Sequence, residues 1–155
     1  VLISSLVFGV ISIYKIASEF DLLNFMFTDS SVKWDFSLLF FFLPLLWLPT
    51  ATILFYMRKK TGWVLLTAFI TYSITGAIIM MYEELTRKPF SIPALENLFP
   101  ATSLVTIIIT LLFFGGYLWV VCENALREIY SVEKKEMKSI IGVSAALTLL
   151  LFYAL

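Results

Sequence analysis

Two uncharged apolar runs, Phe36 to Met57 and Thr61 to Tyr82, stand back to back with only Arg58, Lys59 and Lys60 between them. Each run is 22 residues long, and a helix of that length extends about 33 Å, against a bilayer hydrocarbon thickness of about 30 Å. Such a pair reads as a transmembrane hairpin. Its three-residue turn is too short to leave the membrane surface, and short loops rich in Lys and Arg lie on the cytoplasmic side. The hairpin therefore predicts both the solvent of the chain and its orientation, in a plasma (inner) membrane.

Composition agrees with lipid as the solvent. The chain is 61% hydrophobic and 14% charged, where soluble domains hold about 45 to 50% apolar and about 25% charged residues. Its 155 residues leave room for one helical bundle and no separate soluble domain. Formal net charge is zero, which argues against nucleic acid as a partner. The single cysteine, Cys122, forms no internal disulfide and no metal-ligand cluster. Histidine is absent, and with it go haem ligation in a helical bundle, most transition-metal sites and imidazole acid/base work. No cofactor and no metal are expected.

Three further apolar segments complete the reading. Val1 to Ala17 is the visible part of a first span, with Lys15 placed to snorkel from its end. Asn97 to Cys122 is uncharged over 26 residues, and Pro100 is suited to a first helical turn. Ser139 to Leu155 offers Gly142, Ser144, Ala145 and Ala146 as a small-residue packing face. Pro44 and Pro49 are expected to kink or locally break the second span, with Thr50 or Thr52 helping to satisfy the freed carbonyls. The charged segment Glu123 to Lys138 holds neither Gly nor Pro, so the fourth helix is expected to run on beyond the membrane, with Glu123 and Arg127 paired along it. Two connectors, Ser18 to Asp35 and Pro89 to Pro100, read as interfacial pieces on the outer face. Both termini fall inside apolar runs and read as trimmed, and the first run lacks the basic leader and small-residue cleavage site of a signal peptide.

The predicted architecture is thus an all-α, polytopic bundle of five spans, approximately 1–17, 36–57, 61–82, 100–122 and 139–155. Charge is distributed as that topology requires. The inner connections carry seven basic residues (Arg58, Lys59, Lys60, Arg127, Lys134, Lys135, Lys138) and four acids. The outer ones carry four basic residues and seven acids, a positive-inside asymmetry.

No Asp, Glu, Lys, Arg or His falls at mid-membrane depth in these spans, which argues against proton relays and voltage sensors. The polar side chains that do fall there are hydroxyls at helical spacing: Thr67, Thr71 and Thr75, followed by Gly76, and Ser103, Thr106 and Thr110. They fit two uses. Opposed to one another, or to copies around an axis, they would line a narrow polar path. Bonded back to their own helices, they would simply pack, and packing is the commoner use. Glu83 and Glu84 belong to an outer acidic rim with Asp21, Asp29, Asp35 and Glu96. A solvated rim is the plain reading. Acid/base work by the Glu pair on a lipid or isoprenoid carrier is the enzymatic alternative, although no positioned nucleophile, metal-binding acidic motif or phosphate loop accompanies it. The basic side chains after Glu123 could meet anionic headgroups or a cytoplasmic partner, though glutamates interleave with them. Trp34, Tyr56, Trp63, Tyr82 and Trp119 fall near predicted interfaces, as aromatic belts do. The expectation is a non-enzymatic membrane protein, either an oligomeric pore or a packing subunit of a larger membrane complex. Its partners are the bilayer and further copies or other membrane subunits.

Overall fold

The computed structural model describes residues 1–20, 24, 36–86 and 103–154, with the backbone alone for 36–44 and for 154. Among the described residues every regular element is an α-helix: α1 (Leu2–Ser18), α2 (Phe36–Tyr56), α3 (Lys60–Thr86), α4 (Leu104–Val121), α5 (Asn124–Ile129) and α6 (Lys134–Ala154). Three of these are long and apolar enough to cross a membrane: α3, α4 and, within α6, Lys134–Tyr153. α1 and the Leu45–Tyr56 part of α2 are apolar but shorter. The chain thus has the features of an integral membrane protein. The connectors expected to lie at the interface fall outside the described residues except for Ser18, Glu19, Phe20 and Asn24, as do Trp34, Asp21, Asp29, Asp35 and Glu96.

The chain divides into two compact units. The first comprises Val1–Leu66 with Glu128–Val132, and the second Thr67–Arg127 with Glu133–Leu155.

In the first unit α1 packs against α2. The buried residues of α1 are Ser4, Ser5, Phe8 and Ser12, which the 3.6-residue period places on one face. Three small hydroxyl residues around one ring let the backbones approach closely. Ser12 Oγ donates to the Phe8 carbonyl at 2.7 Å, so burial leaves it bonded, while Ser5 Oγ is buried without a partner. The opposite face of α1, with Leu6, Val10 and Ile13, is exposed, as lipid contact allows. On α2 the buried set is Leu48, Ala51, Thr52 and Phe55, again one helical face. Trp63 and Leu66 on the first turns of α3 are fully buried, and Trp47 Nε1 donates to the Leu65 carbonyl at 3.0 Å, tying α2 to α3.

Several expectations change here. α2 continues through Pro44 and Pro49 without a break. Thr50 and Thr52 do not reach the Leu45 carbonyl, which Pro49 leaves without an intrahelical donor; they bond Leu46 and Leu48 at 2.7 Å each. Trp63 is not part of an interfacial belt. With none of its surface exposed it belongs to the core of the hairpin, whereas Tyr56, Tyr82 and Trp119 are exposed near helix ends.

In the second unit Ile70, Thr71, Ala77 and Ile79 of α3 are buried together with Thr67. Phe69 meets Phe114 of α4 edge-on, with ring centroids 6.2 Å apart. A Cβ built on Gly76 would lie 3.8 Å from the Phe152 ring of α6, an ordinary contact. α4 and α6 keep most of their apolar surface uncovered, with Leu112 and Leu150 among the most exposed side chains. α4 does not run on through the charged segment. It ends at Val121, where Cys122 N–H bonds the Leu118 carbonyl, and the short α5 follows. Arg127 does not pair with Glu123; its Nε donates to the Cys122 carbonyl at 3.0 Å and its Nη2 to Asn124 Oδ1. A side chain that satisfies the orphan carbonyl at a helix end favours stopping there. α6 opens with the return half of a capping box, the Glu133 N–H bonding the Glu136 carboxylate at 3.0 Å.

Candidate functional site: a clamped basic corner and a buried threonine row

The corner between α2 and α3 is built by backbone geometry before any side chain acts. Lys59 N–H bonds the Leu54 carbonyl and Arg58 N–H the Phe55 carbonyl, both at 3.0 Å, and Arg58 has φ of 55°. Together these form a Schellman motif with arginine in the left-handed position that glycine usually occupies. Lys59 then accepts from the Gly62 and Trp63 N–H groups at 2.9 and 3.3 Å, starting α3. The two helices approach so closely that a Cβ on Gly62 would lie 2.2 Å from backbone atoms of Leu54 and Phe55. No side chain fits there.

A distant residue closes this corner. Tyr130, buried in the Glu128–Val132 segment, donates its hydroxyl to the Phe55 carbonyl at 2.6 Å. Its ring stacks on Phe55 with centroids 4.7 Å apart and planes at 19°. The carbonyl that receives the Arg58 N–H therefore also receives Tyr130. Burial pushes the Tyr130 phenol up to about 12, opposed by the positive charge of Arg58. Sequence reasoning passed over Tyr130 because it lies in a charged segment. Its one signal is the uncharged island Ile129-Tyr130-Ser131-Val132 between Glu128 and Glu133, of which Tyr130 and Val132 are buried.

The threonine row lies in the second unit. Thr67 is fully buried and Thr71 nearly so, while Thr75 is half-buried. Thr71 Oγ1 donates to the Thr67 carbonyl at 2.8 Å and Thr75 Oγ1 to the Thr71 carbonyl at 2.9 Å. Thr67 Oγ1 is buried without a partner. The second row is placed differently. Ser103 and Thr106 are exposed and Thr110 half-buried on α4, Thr110 Oγ1 donating to the Thr106 carbonyl at 2.8 Å. Ser103 stands at the N-cap of α4 without capping it. The two rows thus differ in burial: Thr67 and Thr71 are covered, Ser103 and Thr106 are exposed, and Thr75 and Thr110 are half-buried. Glu83 is exposed and Glu84 half-buried near the end of α3. Among the described residues no three Asp, Glu, Cys or His side chains converge as metal ligands would.

No family model, curated protein or solved structure matches this chain.

Proposed function

We propose that this chain is a non-enzymatic integral membrane protein that works by packing within a larger membrane assembly. The proposed topology has five spans, the Arg58-Lys59-Lys60 corner in the cytoplasm and the Glu83-Glu84 end outside, in the plasma (inner) membrane. The observation that carries the packing role is the use of the hydroxyls. Thr71 and Thr75 are turned onto carbonyls of their own helix, as are Ser12, Thr52 and Thr148. A hydroxyl that donates within its own helix has used its one hydrogen and offers no donor to an anion or a substrate, and its small size serves close helix contact. Around Gly115, Gly116 and Gly142 nothing lies within 4 Å of a built Cβ, so those backbones are open to approach by another helix.

The test is purification of the full chain from its native membrane in a mild detergent, followed by native mass spectrometry. The packing role predicts stoichiometric partner polypeptides or further copies; a stable lone monomer in native membranes and in detergent contradicts it. A pore-forming oligomer is the second reading, supported by the exposure of Ser103 and Thr106, which leaves them available to an axis shared by copies. It predicts that Ser103→Cys and Thr106→Cys react with an aqueous thiol reagent in the assembled state.

A further inference from the structure

We propose that the corner between α2 and α3 is a binding site for the headgroup of an anionic phospholipid, held by Arg58 and Lys59. This rests on the chain residing in a bilayer and is independent of the packing role.

Charge is the first argument. From Phe36 to Tyr82 the only charged residues are Arg58, Lys59 and Lys60, all cationic. Arg58 and Lys59 are exposed, and neither makes an ion pair among the described residues. Glu128, the acid carried by the segment that clamps the corner, is exposed and forms no ion pair with them. A guanidinium presents a planar fork that matches two phosphate oxygens, and an adjacent ammonium adds a compact point charge.

Depth is the second. The corner terminates two long apolar helices, and the side chains just before it, Ile53, Tyr56 and Met57, are exposed and apolar or aromatic. That collar belongs among acyl chains and glycerol backbones, which puts the cations at headgroup level. A soluble acidic partner would have to compete with phosphates already there.

Rigidity is the third. The Schellman bonds, the Gly62 backbone contact and the Tyr130 hydroxyl on the Phe55 carbonyl all fix the backbone that carries Arg58. A mobile basic loop attracts anionic lipid diffusely; a fixed pair of cations loses less entropy when it seats one headgroup.

The experiment uses the full chain in detergent, titrated with phosphatidylglycerol or phosphatidylcholine and read by native mass spectrometry. The expected result is preferential retention of phosphatidylglycerol, falling steeply with ionic strength. Arg58→Gln with Lys59→Gln should lower that preference roughly 10- to 30-fold, at about fivefold per cation. Lys134→Gln with Lys135→Gln, at the exposed start of α6, should lower it by less than about threefold. Tyr130→Phe keeps both cations and releases one anchor, so its preference should lie between wild type and the double variant. Both Gln substitutions are at exposed sites, and an unchanged melting temperature confirms folding. Equal retention of the two lipids by the wild type overturns the proposal. So does an undiminished preference in the Arg58/Lys59 variant, or a larger loss from the Lys134/Lys135 variant.

Discussion

At the scale of single residues the account turns on three positions that meet at one corner. Gly62 sits where any side chain would strike the backbone of Leu54 and Phe55 at 2.2 Å. Gly62→Ala should therefore cost about 3 kcal/mol or more, since backbone on both sides leaves nothing flexible to yield, and a thermal melt in detergent measures it. Arg58 holds a left-handed φ of 55°, a conformation that costs an L-residue with a Cβ about 1 kcal/mol or more relative to glycine. Arg58→Gly should raise stability by about 0.5 to 1 kcal/mol while removing a cation from the proposed headgroup site. Stability and lipid preference thus move in opposite directions in one variant. Tyr130→Phe removes a hydroxyl from the Phe55 carbonyl and should cost about 1 kcal/mol. Because burial raises the phenol from its ordinary 10 to about 12, the folded state favours the protonated form. Its contribution is intact below pH 10 and is lost as pH rises from 10 through about 12. Melting temperatures across that window should fall less steeply for Tyr130→Phe than for the wild type. None of the three roles was legible in the sequence. A glycine at the start of an apolar run, an arginine in a basic turn and a tyrosine in a charged segment each have a plainer use, and only long-range contacts single them out.

At the scale of helices much more was legible, because charge and apolar run length alone set most of the limits. The runs Phe36–Met57 and Thr61–Tyr82 correspond to α2, Phe36–Tyr56, and α3, Lys60–Thr86. The details that differ are local, set by contacts that run length and propensity do not encode. Two prolines within α2 left it unbroken, and a charged segment with good helix propensity was nonetheless interrupted where Arg127 turns back on Cys122. Trp63 could be read as a belt residue because its position at the head of a run suits an interface, yet the tight Gly62 crossing draws it inward. The threonine row yields a test at this scale. With their hydroxyls bonded inside α3, Thr71→Val and Thr75→Val keep shape and lose only an intrahelical bond, so each should change stability by no more than about 0.5 kcal/mol. Any partner assembly should survive both substitutions, as judged by co-purification.

For the molecule as a whole, composition and the spacing of its charges led to the expectation of an all-α membrane bundle of five spans; among the described residues every regular element is helical and three helices are long and apolar enough to cross a membrane. The use of its polar residues stayed divided between packing and a polar path, because periodicity places Thr67, Thr71 and Thr75 on one face without saying what covers that face. Cysteine accessibility in intact membranes tests the central claim most directly, with Cys122→Ser as background and Lys59→Cys, Thr67→Cys, Thr71→Cys and Thr75→Cys introduced singly. The account predicts that an impermeant thiol reagent applied to inside-out vesicles labels Lys59→Cys, while the three threonine positions stay sealed until the protein is denatured. Labelling of Thr71→Cys and Thr75→Cys in the native membrane at the rate of Lys59→Cys would contradict it, since a row of packing hydroxyls admits no water.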